Sequence, residues 1–94
     1  MAEIKIRELD SDSDTYSFDV EIVEGGSSTR HRVSVGIADY QSLTDGLVTP
    51  RELVEKSFDF LLEREPKETI FSSFDLTDIA KYFNDYTTRI KDYF

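Results

Sequence analysis

Cysteine and tryptophan are missing from this 94-residue chain, and histidine and methionine each occur once. Without cysteine there are no disulfides, no thiolate metal ligands and no cysteine nucleophile. With His31 as its single imidazole, the chain has neither a histidine-rich metal site nor a histidine pair. No stretch approaches the roughly 18 consecutive apolar residues of a membrane-spanning helix. The opening stretch MAEIKIRELD lacks the apolar core of a signal peptide, so we expect a cytoplasmic protein.

Motifs that mark a nucleotide site or a hydrolase are missing too. Neither a P-loop nor a G-x-G-x-x-G stretch occurs, so nothing signals a phosphate-binding turn. No G-x-S-x-G nucleophile elbow occurs, and the GGSS stretch lies in a predicted hairpin turn. Counting alone does not exclude a triad of serine, histidine and aspartate, but a histidine on the apolar face of a strand is usually structural. We therefore assign no catalytic residue and no cofactor.

Basic residues are few: eleven Lys and Arg stand against twenty Asp and Glu, a formal charge of −9. Nucleic-acid affinity depends on cations that displace counterions, so we expect no nucleic-acid partner. An anionic membrane would repel the chain as well. An acidic surface keeps a protein soluble and permits a basic protein partner. Hydrophobic residues at 38% and aromatic residues at 13% indicate a globular chain, and the length fits one domain over residues 1–94.

Three segments in the first forty residues alternate between apolar and polar side chains, which predicts half-buried strands. Their apolar faces consist of Ile4, Ile6, Tyr16, Phe18, Val20, Ile22, His31, Val33, Val35 and Ile37. The opposite faces are charged and polar. This pattern predicts an antiparallel sheet over residues 1–37 that is covered on one side only.

Charges on the polar face predict the order of the strands. The first and third strands are basic there and the second is acidic. Opposite charges on neighbouring strands stabilise a sheet by about 0.2–1 kcal/mol per pair, so the second strand is expected in the middle. The Gly-Gly pair at 25–26 suits a two-residue type I′ turn. That turn would place Asp19 opposite Arg32 and Glu21 opposite Arg30, whereas a four-residue loop would keep the faces but change these pairs.

After the third strand comes a connector, in which Tyr40 and Leu43 are expected to fold back onto the core. Beyond it, apolar residues recur at helical spacing. The stretch TPRE, residues 49–52, is a strong helix start. Its threonine can cap, its proline fits the first helical position and its glutamate completes a capping box. Apolar residues then recur at helical spacing up to about Glu65, where Pro66 ends the helix.

The tail is predicted to form short helical pieces. Asp75 is the expected cap of LTDIAKYF, and Asn84 is the expected cap of a last segment that ends at Phe94. The side chains expected to point inward before the first cap are Ile70, Phe71 and Phe74. The prediction is therefore an α+β fold. A three-stranded antiparallel meander in order 1-2-3 precedes a helical half over 49–94, with one long and two or three short helices packed on one face.

The tract SFDFLLEREPKETIFSSFDLTDIAKYF carries a distinctive order of motifs. Its recognisable positions are Ser57, Phe58, Phe60, Leu61, Leu62, Glu63, Arg64, Glu65, Pro66, Ile70, Phe74, Asp75, Leu76, Ile79, Tyr82 and Phe83. On these residues, the stretch 49–86 resembles a group of small prokaryotic proteins with no assigned function. The chain departs from the group at Phe71, where the group has leucine, and at Asn84, where it has proline. The resemblance implies a prokaryotic origin and brings no catalytic role.

Two sets of side chains are candidates for an interaction surface. Glu63, Arg64 and Glu65 cluster at the predicted end of the long helix, beside a proline turn. Their ordinary role is structural, because a cation at a helix C-terminus is stabilising, and the alternative is a docking site. Tyr82 and Tyr86 belong to an aromatic run whose helical spacing favours the core. Where such tyrosines are exposed, they suit a protein interface.

The acidic stretch DSDSDT resembles the start of a calcium loop. Four acidic residues occupy its ligand positions: Asp10, Asp12, Asp14 and Glu21. Thr15, however, stands where the loop requires glycine, and a strand follows where a helix is needed. Glu21 would then lie more than about 20 Å up an extended chain, too far to close the loop. We therefore predict a turn between the first two strands and no metal site.

These expectations favour a small non-catalytic interaction or regulatory module with a basic protein partner, as a monomer or weak homodimer. The alternative is a small enzyme or enzyme subunit that uses Glu63, Glu65 and His31. An enzyme needs such groups together in one pocket with perturbed pKa values. An interaction module needs an exposed apolar patch.

Overall fold

The computed structural model describes residues 2–9 and 13–94. Within them, four strands form one sheet in the order β1-β2-β3-β4. The strands are β1 Glu3–Glu8, β2 Thr15–Glu24, β3 Ser27–Gly36 and β4 Ser73–Asp75. The first three are antiparallel neighbours, and β4 runs parallel to β3 at the far edge. The predicted α+β class and the central position of β2 are confirmed.

The turn between β2 and β3 is the two-residue turn that the sequence predicts. Its two glycines have φ values of 61° and 82°, and positive φ at both central positions is what a type I′ turn requires. The register places Asp19 opposite Arg32 and Glu21 opposite Arg30. These pairs are in ionic contact at 3.0 Å and 3.9 Å, so the predicted cross-strand pairs are confirmed.

Helical segments make up much of the remaining described chain. The α-helices are α1 Ile37–Thr44, α2 Pro50–Leu62, α3 Ile79–Tyr82 and α4 Tyr86–Arg89. Segments of 3₁₀ helix cover Lys67–Thr69, Leu76–Asp78 and Ile90–Tyr93. The connector after β3 is thus helical as α1, and it places Leu43 in the core and Tyr40 against it.

α2 begins where the sequence predicts and ends earlier. The Thr49 hydroxyl accepts a hydrogen bond from the Glu52 amide at 3.1 Å, and proline occupies the first helical turn. The helix stops at Leu62 and does not reach Glu65, because the amides at 64 and 65 both bond the Leu61 carbonyl and tighten the chain into a turn.

The hydrophobic core lies between the sheet and the helices. Its most fully buried large side chains are Phe18, Val20, Ile22, Val33, Val35, Leu53, Val54, Phe58, Phe60, Leu76, Tyr86 and Ile90. Burying one such side chain contributes about 1.5–3 kcal/mol, so this layer is the main source of stability. Lys5, Arg7, Asp19, Glu21, Arg30 and Arg32 lie on the opposite, solvent-facing side of the sheet.

The expected three-stranded sheet is corrected by β4, which lies in the part of the chain predicted to be helical. The Arg32 amide bonds the Ser72 carbonyl at 2.7 Å, and the Ser34 hydroxyl bonds the Asp75 carboxylate at 3.0 Å. A strand of three residues is too short to show alternation, which is why the sequence pattern misses it. The expected cap at Asn84 is also wrong, because the residue before α4 is Asp85, whose side chain makes no capping bond.

Candidate functional site

An exposed aromatic pair, Phe71 and Tyr82, stands beside an apolar groove. The two side chains are 54% and 65% exposed, and their rings meet edge to face with centroids 5.4 Å apart. The groove has a volume of about 270 Å³. Its apolar walls are Leu61, Ile70, Phe71, Phe74, Ile79, Tyr82 and Phe83, and its polar rim is Glu65, Thr69 and Asp78. We call this site the aromatic groove.

Phe71 projects into solvent because hydrogen bonds from β3 hold the backbone at Phe71 and at the residue after it. The imidazole Nδ1 of His31 lies 2.7 Å from the Phe71 carbonyl, and the Arg32 amide bonds the next carbonyl, that of Ser72. The preceding residue, Ile70, is extended, with φ of −74° and ψ of 134°. Ile70 therefore enters the core while Phe71 points out.

Tyr82 is positioned by the helical start that precedes it. The Asp75 carboxylate accepts a hydrogen bond from the Thr77 amide at 3.0 Å, and the Asp78 carboxylate accepts one from the Asp75 amide at 3.2 Å. This reciprocal capping box confirms the cap predicted at Asp75. It fixes the turn from which α3 carries Tyr82 to the rim of the aromatic groove.

The rim of the aromatic groove is acidic. The Lys81 ammonium, 2.9 Å from Asp78, lowers the pKa of that carboxyl by hydrogen bonding, and the Asp75 amide adds to the effect. The same contact raises the pKa of Lys81. The Glu65 carboxylate accepts a hydrogen bond from the Thr69 hydroxyl at 2.7 Å. Two carboxylates thus border the apolar walls, with one cation beside them.

The five side chains singled out in the sequence divide between this groove, the contact of α2 with the C-terminal segment, and the core. Glu65 and Tyr82 line the groove. Glu63 accepts a hydrogen bond from the Tyr93 hydroxyl at 2.7 Å. The Arg64 guanidinium donates a hydrogen bond to the Phe60 carbonyl and stacks over the Phe60 ring. It also contacts the Asp85 carboxylate at 3.3 Å. Both side chains therefore tie the end of α2 to the C-terminal segment.

Tyr86 is fully buried and takes no part in the aromatic groove. Its hydroxyl lies 2.7 Å from that of Ser57 on α2. Burial raises the pKa of Tyr86 well above the usual tyrosine range. A tyrosine at this position could pack in the core or lie at an interface, and Tyr86 packs in the core.

No protein-family model, curated protein or solved structure matches this chain. The resemblance of residues 49–86 to small prokaryotic proteins stays a prediction. Any role must therefore be inferred from the geometry of the side chains.

The residues of the enzyme alternative are not brought together. Glu65 lines the aromatic groove, His31 lines a different groove on the sheet, and Glu63 lines neither of the two. His31 is buried, with Nδ1 on the Phe71 carbonyl and Nε2 at 2.9 Å from the Thr29 hydroxyl. Its ring packs against Phe58, so its contacts are those of a structural histidine.

A metal site is not found in the part of the chain that the structure describes. No group of three or more acidic or histidine side chains there could hold an ion. Asp10 and Asp12 of the calcium-like stretch lie outside the described residues. Glu21, the last residue of that pattern, lies on the sheet and pairs with Arg30. The described helices are also too short or too polar to cross a membrane.

Phe71 is the groove residue that the sequence reasoning missed. Ile70 and Phe74 are four residues apart, which fits one face of a helix, and a helix would turn Phe71 toward the same interior. The chain is extended there instead, so neighbouring side chains point to opposite sides. Only the pairing of β4 with β3 determines this, and that pairing is set by contacts about forty residues apart in sequence.

Proposed function

We propose that this protein is a small non-catalytic interaction module of the prokaryotic cytoplasm. It binds a basic segment of a partner protein by receiving one large apolar side chain in the aromatic groove. The observation that carries the proposal is the exposed Phe71–Tyr82 pair beside apolar walls. Aromatic residues are enriched where proteins meet, because they bring large contact area and few rotatable bonds.

The size of the groove favours one side chain over a free small molecule. Its volume of about 270 Å³ lies below the range of roughly 300–1,000 Å³ that encloses drug-sized ligands. A single tryptophan, phenylalanine or leucine of a partner would fill it. Binding energy in such contacts is concentrated in a few buried anchors surrounded by weaker contacts.

The charge at the rim favours a basic partner. Glu65 and Asp78 border the apolar walls, and the whole chain has a formal charge of −9. Charges of opposite sign raise the rate of encounter and orient the partner before the apolar contact forms. Asp78 already holds Lys81, so Glu65 is the rim carboxylate available to a partner cation.

Selection from a random peptide library tests the proposal with the full chain as bait. We expect enriched peptides to carry a large apolar residue flanked by Lys or Arg. The double variant Phe71→Ser/Tyr82→Ser should lose them. Leu47→Ser is the matched control, because Leu47 is 75% exposed and does not line the groove.

Two outcomes would overturn the proposal. One is enrichment of the same peptides by the double variant, which would place binding elsewhere. The other is an absence of enrichment by the unchanged protein. Circular dichroism of each variant confirms that loss of binding is not loss of the fold, which both exposed substitutions should preserve.

A further inference from the structure

A groove on the solvent-facing side of the sheet is lined by more cations than carboxylates. Two rows cross β1, β2 and β3: Lys5–Glu21–Arg30 and Arg7–Asp19–Arg32. We call these six side chains the sheet face. These six side chains, four cations and two carboxylates, carry a formal charge of +2 in a chain whose formal charge is −9. Glu3 and Asp75 lie on the same side of the sheet beyond them, so the excess of positive charge is confined to these two rows.

The cations form the outer layer of the sheet face. The side chains of Arg7, Arg30 and Arg32 are between 64% and 80% exposed, whereas those of Asp19 and Glu21 are only about 30% exposed. The carboxylates therefore lie beneath the guanidinium groups. A ligand that enters the groove above these side chains meets the guanidinium groups first.

Asp19 organises this layer. Its carboxylate contacts Arg7 at 3.3 Å and Arg32 at 3.0 Å. The hydrogen bond from Arg32 is the main reason that the pKa of Asp19 is lowered, and Arg7 adds to it. Arg32 uses Nε for this bond. Its terminal nitrogens, which make no hydrogen bond to the described residues, are left to bind a carboxylate from outside, the geometry that guanidinium suits best.

We propose that the sheet face docks an extended acidic segment of a protein partner. In a strand, side chains on one face are spaced two residues apart, about 6.6–6.8 Å. Lys5 and Arg7 on β1, and Arg30 and Arg32 on β3, have this spacing. Carboxylates at alternate positions of an extended segment match it. The shallow groove over these side chains, about 660 Å³ with Ser72 and Ser73 at its edge, is open enough to receive a chain.

A protein segment fits the sheet face better than a nucleic acid does. Single strands bind through aromatic side chains that stack on bases, in addition to cations. The sheet face has no aromatic residue, because Tyr16 and Phe18 belong to the half of β2 that faces the core. Its local charge of +2 is also small beside the charge of the whole chain. At 0.1 M salt, charges more than about 10 Å apart are largely screened from one another. A carboxylate bound next to these cations is closer than that, so their attraction persists.

This inference does not depend on the aromatic groove. The two surfaces lie on either side of residues 71–73, since Phe71 lines the groove and the two serines that follow line the sheet face. Loss of binding at one therefore leaves the other to be measured separately.

Nuclear magnetic resonance of the full chain, titrated with an alternating Glu-Ser peptide, tests the inference. We expect saturable amide shifts on β1 and β3 that weaken as salt is added. The double variant Lys5→Gln/Arg30→Gln should weaken binding about fivefold or more, because two exposed ion pairs are lost. This variant keeps both arginines that contact Asp19, so the fold should persist. The matched control is Arg89→Gln/Lys91→Gln, which removes the same charge from the C-terminal segment.

The contrary results are distinct. Equal weakening by both double variants would mean that bulk charge, and not the sheet face, binds the peptide. Shifts confined to other elements, or no saturable shifts, would also overturn the inference. Tighter binding of an oligothymidylate at the same strands would replace the acidic segment by a nucleic acid. Thermal unfolding of both variants verifies that each remains folded.

Discussion

Among single residues, Ser57 and Tyr86 form the most enclosed polar contact described in the core. The Ser57 hydroxyl donates to the Leu53 carbonyl at 2.7 Å. It therefore accepts from the Tyr86 hydroxyl, also at 2.7 Å. Tyr86 can make this bond only while it is protonated, and burial raises its pKa above the usual value of 10.0.

Tyr86→Phe should change how stability depends on alkaline pH. Because the pKa of Tyr86 is raised in the folded state, its contribution is complete below about pH 10 and is lost as the pH rises above that value. Urea unfolding from about pH 9 to about pH 11.5 should show a steeper loss of stability for the unchanged protein than for the variant. At neutral pH the variant should be less stable by about 0.5–1.5 kcal/mol. Identical pH slopes would contradict this account.

The sequence showed a charged cluster near the end of α2, but it did not show which residues the cluster contacts. Glu63 and Arg64 are adjacent in sequence, which suggested one cluster. Their contacts are with Tyr93, thirty residues on, and with Asp85, twenty-one residues on. Side chains that meet across such separations leave no local pattern. The sequence therefore could not distinguish a docking site from contacts that hold α2 against the C-terminal segment.

Among elements, the long strands and their turn were predictable for local reasons. β2 alternates between apolar and polar side chains from Tyr16 to Ile22, β3 does so from Arg30 to Val35, and the two glycines between the strands suit one type of turn. α2 was predictable at its start, where the capping residues are adjacent. β4 could not be found, because it has three residues and its place depends on β3.

His31 links β3 to the segment that carries the aromatic groove. A carbonyl oxygen can only accept, so Nδ1 donates to the Phe71 carbonyl, while Nε2 shares a hydrogen bond with the Thr29 hydroxyl. His31 itself is only 3% exposed, so water has little access to its two ring nitrogens. The edge formed by β4 and Phe71 thus depends on this histidine.

His31→Ala should therefore lower the free energy of unfolding by about 1–3 kcal/mol, because it leaves the Phe71 carbonyl without its partner. The amide resonances of residues 71 and 72 should shift as well. Thr29→Val, which removes only the bond at Nε2, should cost less. Urea unfolding of both variants decides the matter, and an equal cost for the two would show that the Phe71 bond contributes nothing.

At the scale of the whole molecule, charge and apolar surface are separated. The helices and the sheet enclose one core, the groove on the solvent side of the sheet is lined by four cations and two carboxylates, and the chain as a whole is strongly acidic. The exposed aromatic pair lies beside the carboxylates of Glu65 and Asp78. The composition alone predicted an acidic surface, but the position of the apolar patch within it needed the fold.

The absence of tryptophan makes the central claim directly measurable. A short peptide with one tryptophan between lysines supplies all the tryptophan emission in a mixture with this protein. Entry of its indole into the aromatic groove should move that emission to shorter wavelength, because the ring leaves water for an apolar environment. A peptide with glutamates in place of the lysines is the matched control for the acidic rim.

We predict a saturable blue shift of the lysine-flanked peptide with the unchanged protein and with Leu47→Ser. The shift should be much weaker with the glutamate-flanked peptide and absent with Phe71→Ser/Tyr82→Ser. A shift of the same size with that double variant, or no saturable shift with the unchanged protein, would contradict the assignment of Phe71 and Tyr82 as a docking site.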